Sequence, residues 1–197
     1  MATGLRERKK RRTRITIQRE AIRLFQEQGY AATTIEQIAN AAEISPSTFF
    51  NYFPNKEDVI LTDEWDPVFV STFLDRPAGE PFAESLKSIV NELMPLMMEQ
   101  DRDLLLARGR LSLEVPELRA RIFDEFEKAQ DLLRPVVAAR TGRAPDDFEL
   151  RVGVRMIVWA IEEAFMEWIR RGAGDDIVEL MNHALDLVQN GVRFDRD

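Results

Sequence analysis

Apolar residues recur three, four and seven positions apart through almost the whole chain, and the two-residue alternation of a half-buried strand is absent. In "RITIQREAIRLFQEQGY", Ile15, Ile17, Ala21, Ile22, Leu24 and Phe25 fall mostly on one side of a helix, and Gly29 follows its last turn as a stop. Thr33 and Glu36 have the spacing of a capping box, which predicts a second helix from about 34. Its apolar positions are Ile35, Ile38, Ala39 and Ala42, and "AEIS" interrupts them. Ser45 then reads as an N-cap with Pro46 at the first helical position, and Pro54 disfavours helix at Phe53 and ends this short third helix. Asn55, with Asp58 three residues on, opens a fourth.

Beyond residue 58 the pattern stays helical, and "DRPAGEP" (75–81) is the clearest linker. Helices are predicted over about 80–99, 101–112, 116–140, 146–171 and 175–190, the last three stopped by Gly142, Gly172 and Gly191. The expected fold is all-α, with about nine helices. Residues 1–54 form a basic arm and a three-helix N-terminal domain, and residues 55–197 a larger helical bundle for ligand binding and dimerisation.

Charge adds an asymmetry. The chain carries −8 overall, but residues 1–58 hold ten Lys/Arg against seven Asp/Glu. Arg6, Arg8, Lys9, Lys10, Arg11, Arg12 and Arg14 all precede the first apolar stripe. A basic arm on an acidic body suits a polyanion at one end only, although a solubilising tail has the same composition. The chain has no cysteine, which excludes disulfides, thiolate metal sites and cysteine nucleophiles, and one histidine, His183, on which a histidine zinc site or a Ser-His-Asp triad would wholly depend; no metal and no cofactor is expected. No apolar run reaches the roughly 20 residues of a membrane span, and the basic N-terminus is not followed by an apolar stretch. A cytoplasmic protein without a membrane partner is expected.

Two helices joined by about four residues make a helix-turn-helix, which offers its second helix to the DNA major groove. Ile38, Ala39, Ala42, Ile44, Phe49 and Phe53 can pack inward. Ser45, Ser47, Thr48, Asn51 and Tyr52 then look outward, with hydroxyl and amide groups suited to base edges and phosphates. Lys56, early in the fourth helix, and Thr33 and Thr34, at the start of the second, read as phosphate sites. The arm, Arg12 and Arg14 included, is expected along the backbone or in the minor groove.

The stretch "FQEQGYAATTIEQIANAAEISPSTFFNYFPNKE" resembles the DNA-binding domain of the TetR family of transcriptional regulators. The matching residues are Phe25, Gly29-Tyr30, Thr33-Thr34, Ile38-Ala39, Ala42, Ile44-Ser45, Thr48-Phe49-Phe50, Tyr52-Phe53 and Lys56-Glu57. The resemblance implies a homodimer on a pseudo-palindromic double-stranded operator, released when a small-molecule effector binds. By position it implies DNA contacts at Thr34, Ser45, Ser47, Thr48, Phe50, Asn51, Tyr52 and Lys56. Three departures stand out: Glu43 replaces the usual turn glycine, Phe50 a frequent tyrosine, and Pro46-Ser47 a common lysine or glycine.

In "DDFELRVGVRMIVWAIEEAFMEWIRRG" apolar side chains point nearly all round the helix, which buries it on more than one face. With "IVELMNHALDLVQNGV" it can supply a four-helix dimer interface. Val158, Ile161, Trp168, Ile177, Met181, Ala184, Leu185 and Val188 are the expected dimerisation residues. Met94, Met97, Met98, Phe123, Phe126, Met156, Trp159 and Phe165, with Arg110 and Glu163 as polar handles, are the candidate lining for a fairly large apolar ligand; the same spacing also describes plain core. No nucleophile elbow, phosphate loop or histidine–carboxylate pair is present, so an enzyme is not expected. A helical interaction scaffold without DNA binding is the alternative.

Overall fold

The computed structural model describes residues 2–62, 65–77 and 79–192, the side chains of residues 2, 3, 7 and 66 excepted. Among these residues there are nine helices and no strand: α1 (Ala2–Gln28), α2 (Ile35–Ala41), α3 (Pro46–Tyr52), α4 (Asp58–Leu61), α5 (Asp66–Leu74), α6 (Phe82–Glu114), α7 (Pro116–Thr141), α8 (Phe148–Arg170) and α9 (Ile177–Asn190). Two elements differ from the sequence reading: α5 is not among the predicted helices, and the basic arm is helical. The helices expected at 80–99 and 101–112 are both present, as the two halves of α6 on either side of a kink at Asp101, whose φ of −131° and ψ of 16° are not helical. The basic arm is not separate from the first helix, because α1 runs through it from residue 2.

The chain forms two compact units. The first comprises Met1–Glu64 with Asp103–Ile122, and the second Trp65–Arg102 with Phe123–Asp197. Helices α6 and α7 therefore each contribute to both.

In the first unit Ile17, Ala21, Ile22 and Phe25 of α1 meet Ile38 and Ala39 of α2, Phe49 of α3 and Val59 and Ile60 of α4. Leu111 and Leu118, from the ends of α6 and α7, are buried in the same core. A helix of four residues such as α4 cannot persist alone. It is held by side chains: the fully buried Gln18 donates to Val59 O (3.1 Å) and Thr62 O (3.2 Å), and Arg108 donates to Ile60 O (2.6 Å).

In the second unit α8 and α9 pack as a hairpin. Asp147 caps α8 by accepting from Leu150 N (2.9 Å), and Asp176 caps α9 by accepting from Val178 N (2.8 Å). Trp168 is 1% exposed, and its indole donates to Asp175 O (2.9 Å), fixing the turn between the two helices. Phe73, Ile89 and Leu93 make a smaller core with Phe69, Phe82 and Val136, over which the Arg140 guanidinium lies 5.2 Å from the Phe73 ring.

Candidate nucleic-acid interface

The turn between α2 and α3 has the hydrogen bonds of a glycine-type helix stop without the glycine. Ile44 N donates to Ala39 O (2.9 Å) and Glu43 N to Asn40 O (3.1 Å), and Glu43 occupies the left-handed region with φ +56°. Helix α3 then opens on Ser45, whose Oγ accepts from Thr48 N (3.1 Å). That Oγ also lies 2.8 Å from the hydroxyls of both Ser47 and Thr48. Phe49 and Phe53 are fully buried beneath the helix, so a period of 3.6 leaves Ser45, Ser47, Phe50 and Asn51 exposed and Thr48 and Tyr52 half-buried. The exposed face carries hydroxyls, one amide and one phenyl ring. It carries no carboxylate and no cation.

The start of α2 corrects the sequence reading by one residue. The capping box is Thr34–Gln37: Gln37 N donates to Thr34 Oγ1 (3.2 Å) and Thr34 N to Gln37 Oε1 (2.9 Å). Thr33 is 2% exposed; its hydroxyl donates to Gly29 O (2.8 Å) and accepts from Gln28 Nε2 (3.1 Å). Its side chain is thus occupied inside the head and cannot reach a phosphate. Thr34 is exposed, with its hydroxyl used as the cap.

Two expected cations also have internal partners. Lys56 Nζ donates to Tyr30 O (2.8 Å) and Thr33 O (3.0 Å) and sits 4.1 Å above the Tyr30 ring. It ties the α3–α4 connection to the α1–α2 turn, and one ammonium proton remains for an outside acceptor. Glu57 completes this knot by accepting from the Tyr30 hydroxyl (2.8 Å); burial, and then this bond, push the phenol pKa up. The Arg14 guanidinium stacks 4.5 Å over Phe53, whereas Arg12 is exposed.

The sequence reading took Arg6, Arg8, Lys9, Lys10 and Arg11 together as a basic arm and singled out only Arg12 and Arg14 as contacts. In the fold, Leu5, Arg6, Lys9, Lys10 and Thr13 of α1 face Thr48, Asn51 and Tyr52 of α3 across a groove of about 690 Å³. The signal was present as Arg6, Lys9, Lys10 and Thr13 at i, i+3, i+4 and i+7, but Leu5 is the single apolar residue beside them, so hydrophobic periodicity passes over it.

In the second unit the expected ligand and dimer residues separate by burial. Met94 and Met97 lie in the core, Met98, Phe126 and Phe165 are half-buried, and Phe123, Met156 and Trp159 are exposed. Trp159 stacks on Phe126 (4.8 Å between centroids) and Phe123 (6.1 Å). Neither expected polar handle is buried: Arg110 is exposed and belongs to the first unit, and Glu163 pairs with Arg170 (2.8 Å) in solvent. Of the expected dimerisation residues, Trp168, Ile177, Met181 and Leu185 are buried within the chain itself, because α9 turns this stripe onto α8. Val158, Ile161, Ala184 and Val188 are half-buried and keep surface to offer.

Residues 17–62 match the family described as bacterial regulatory proteins, tetR family, and residues 80–193 match the MftR C-terminal domain. The chain is 34% identical to the HTH-type transcriptional regulator TcmR of Streptomyces glaucescens, over 96% of this chain and 87% of that protein. Among solved structures it is similar to FadR of Thermus thermophilus, a repressor in complex with lauroyl-CoA, at 28% identity and a TM-score of 0.56 over 93% and 97% of the two chains. FadR of Bacillus halodurans shares the fold at a TM-score of 0.61, with 24% identity over 92% and 96%.

Proposed function

The chain belongs to the TetR family of bacterial regulatory proteins and is a ligand-responsive DNA-binding transcriptional regulator, and from that premise we propose that it is a homodimeric repressor whose α3 reads the major groove. One observation carries the assignment of the reading surface. Phe49 and Phe53 anchor α3 to the core while Ser45, Ser47, Phe50 and Asn51 stand exposed on it. The hydroxyls and the amide reach base edges and phosphates, and Phe50 offers an apolar contact of the kind made with a thymine methyl. Thr34 and the last free proton of Lys56 address flanking phosphates.

Dimerisation is assigned to α8 and α9, whose outer surfaces keep Val152, Met156 and Leu187 exposed beside half-buried Val158, Ile161, Ala184 and Val188. Two heads related by a two-fold axis suit an operator with two half-sites. The effector is a molecule with a long apolar part, taken up in the second unit. Its methionines and the Phe123–Phe126–Trp159 cluster support this, as does the lauroyl-CoA held by the Thermus thermophilus relative. Because α6 and α7 belong to both units, a ligand that changes their geometry changes which state of the head is favoured.

A mobility-shift assay on the DNA upstream of the protein's own gene, with and without lauroyl-CoA, tests the reading. A discrete shift is expected, abolished by Asn51→Ala with Ser47→Ala and released by the acyl thioester. No shift at low salt counts against DNA reading; a shift that lauroyl-CoA leaves intact counts only against this effector class.

A further inference from the structure

The groove beside α3 has an unusual second wall. Arg6, Lys9, Lys10 and Thr13 recur three and four residues apart, so α1 presents them as one stripe, with Thr48, Asn51 and Tyr52 opposite. Among the described side chains no carboxylate lines the space. Three cations facing two hydroxyls and an amide match a sugar-phosphate strand, which needs neutralising charge on one side and hydrogen-bond donors on the other.

The helix that carries these cations is poorly supported by its own sequence. Its first turn contains no acidic residue, and seven of residues 6–14 are Lys or Arg. Pairs such as Arg6–Lys10 and Arg8–Arg12 place like charges one turn apart, which destabilises a helix. A polyanion in the groove relieves this repulsion.

We propose that this groove seats one sugar-phosphate strand of the duplex between Arg6, Lys9 and Lys10 of α1 and Thr48, Asn51 and Tyr52 of α3, and that the seated strand stabilises the helical start of α1. The inference rests on the reading of the head as a DNA binder. It assigns the arm to the backbone beside the recognition helix, rather than to the minor groove, and it makes folding of the arm and binding of the duplex one equilibrium.

The test uses the full chain and a non-specific duplex of about 30 base pairs, with affinity measured by fluorescence anisotropy between roughly 50 and 200 mM salt. Removing one cation from a phosphate lowers the slope of log affinity against log salt by about 0.9, so Arg6→Ala/Lys9→Ala/Lys10→Ala is expected to flatten it by about 2.7 for each bound head. Far-UV circular dichroism is expected to show helix gained when the wild type meets the duplex and no gain in the triple variant. Netropsin, which fills the minor groove, is expected to leave wild-type binding intact. Lys9→Ala and Lys10→Ala alone, each lowering the slope by about 0.9, carry the same test if the triple change upsets the head. An unchanged slope, or displacement by netropsin, overturns the groove assignment. A wild type that binds no duplex at any salt sinks the DNA reading itself, so the two failures are distinct.

Discussion

Glu43 holds a backbone conformation that L-residues reach only at a cost. With φ +56° and an exposed side chain, it occupies the position where a glycine would be unstrained. Glu43→Gly is therefore expected to stabilise the fold by about 1 kcal/mol, measured by urea denaturation, and to tighten DNA binding by removing a negative charge next to α3. Glu162, in the middle of α8, gives a pH-dependent counterpart. Burial first, and then the neighbouring Glu163, raise its carboxyl from an ordinary 4.5 to about 7. Between those values the folded chain holds a proton that the unfolded chain has released. This contribution to stability is thus greatest at low pH and is lost as pH rises through the window. Glu162→Gln is expected to flatten the slope and to stabilise the protein at pH about 8 by about 2 kcal/mol. Denaturation curves at about pH 5 and 8, compared between wild type and variant, check both parts. At this scale Glu43 was legible as a departure from the family pattern. The role of Glu162 was not, because adjacent glutamates in a helix read equally as surface charge.

At the scale of elements, what the sequence made legible depended on whether a signal was local. Ser45, Pro46 and Pro54 delimit α3 within a few residues, and the recognition helix followed from them. The capping box of α2 slipped by one because Thr33 and Thr34 are both suitable caps. The burial of the Thr33 side chain against Gly29 and Gln28 decided between them, and that is a tertiary fact. The break in α6 fell where expected, at Asp101, while the helicity of the arm was not foreseen because it has no apolar stripe to reveal it. Nothing in the sequence marked α4 as dependent on Gln18. That residue is fully buried and holds two carbonyls at the end of a four-residue helix. Gln18→Leu leaves both carbonyls without this donor, and is expected to cost about 2 kcal/mol, read as a lower denaturation midpoint. Since α4 follows directly on the DNA-reading segment, the same variant is expected to weaken operator binding several-fold even at temperatures where the chain remains folded.

For the whole molecule, the decisive question is how apolar surface is divided between the chain's own core and a second copy. Periodicity shows only that α8 and α9 are apolar on several sides, and the eight residues drawn from that pattern split evenly. Trp168, Ile177, Met181 and Leu185 close the hairpin, and Val158, Ile161, Ala184 and Val188 remain at its surface. Methionines and aromatics in the middle helices carry the same ambiguity, because a side chain that fills a core and one that lines a ligand cavity obey one spacing rule. Met156 resolves part of it. It is 46% exposed, on a helix whose opposite face is buried, and Val152 stands one turn before it at 40%. An apolar pair left this open on a monomer is surface that a partner would cover. Val152→Glu/Met156→Glu places two carboxylates there without touching the buried hairpin. If α8 forms the interface, the dimer dissociates at least tenfold more readily in sedimentation equilibrium, because the charges would be desolvated against an apolar partner. The thermal midpoint at high dilution, where both proteins are monomeric, stays the same. Operator affinity then falls by far more than non-specific affinity, since a lone head keeps its phosphate contacts and loses only the second half-site. Unchanged sedimentation, with operator binding intact, would place the two-fold axis on another surface.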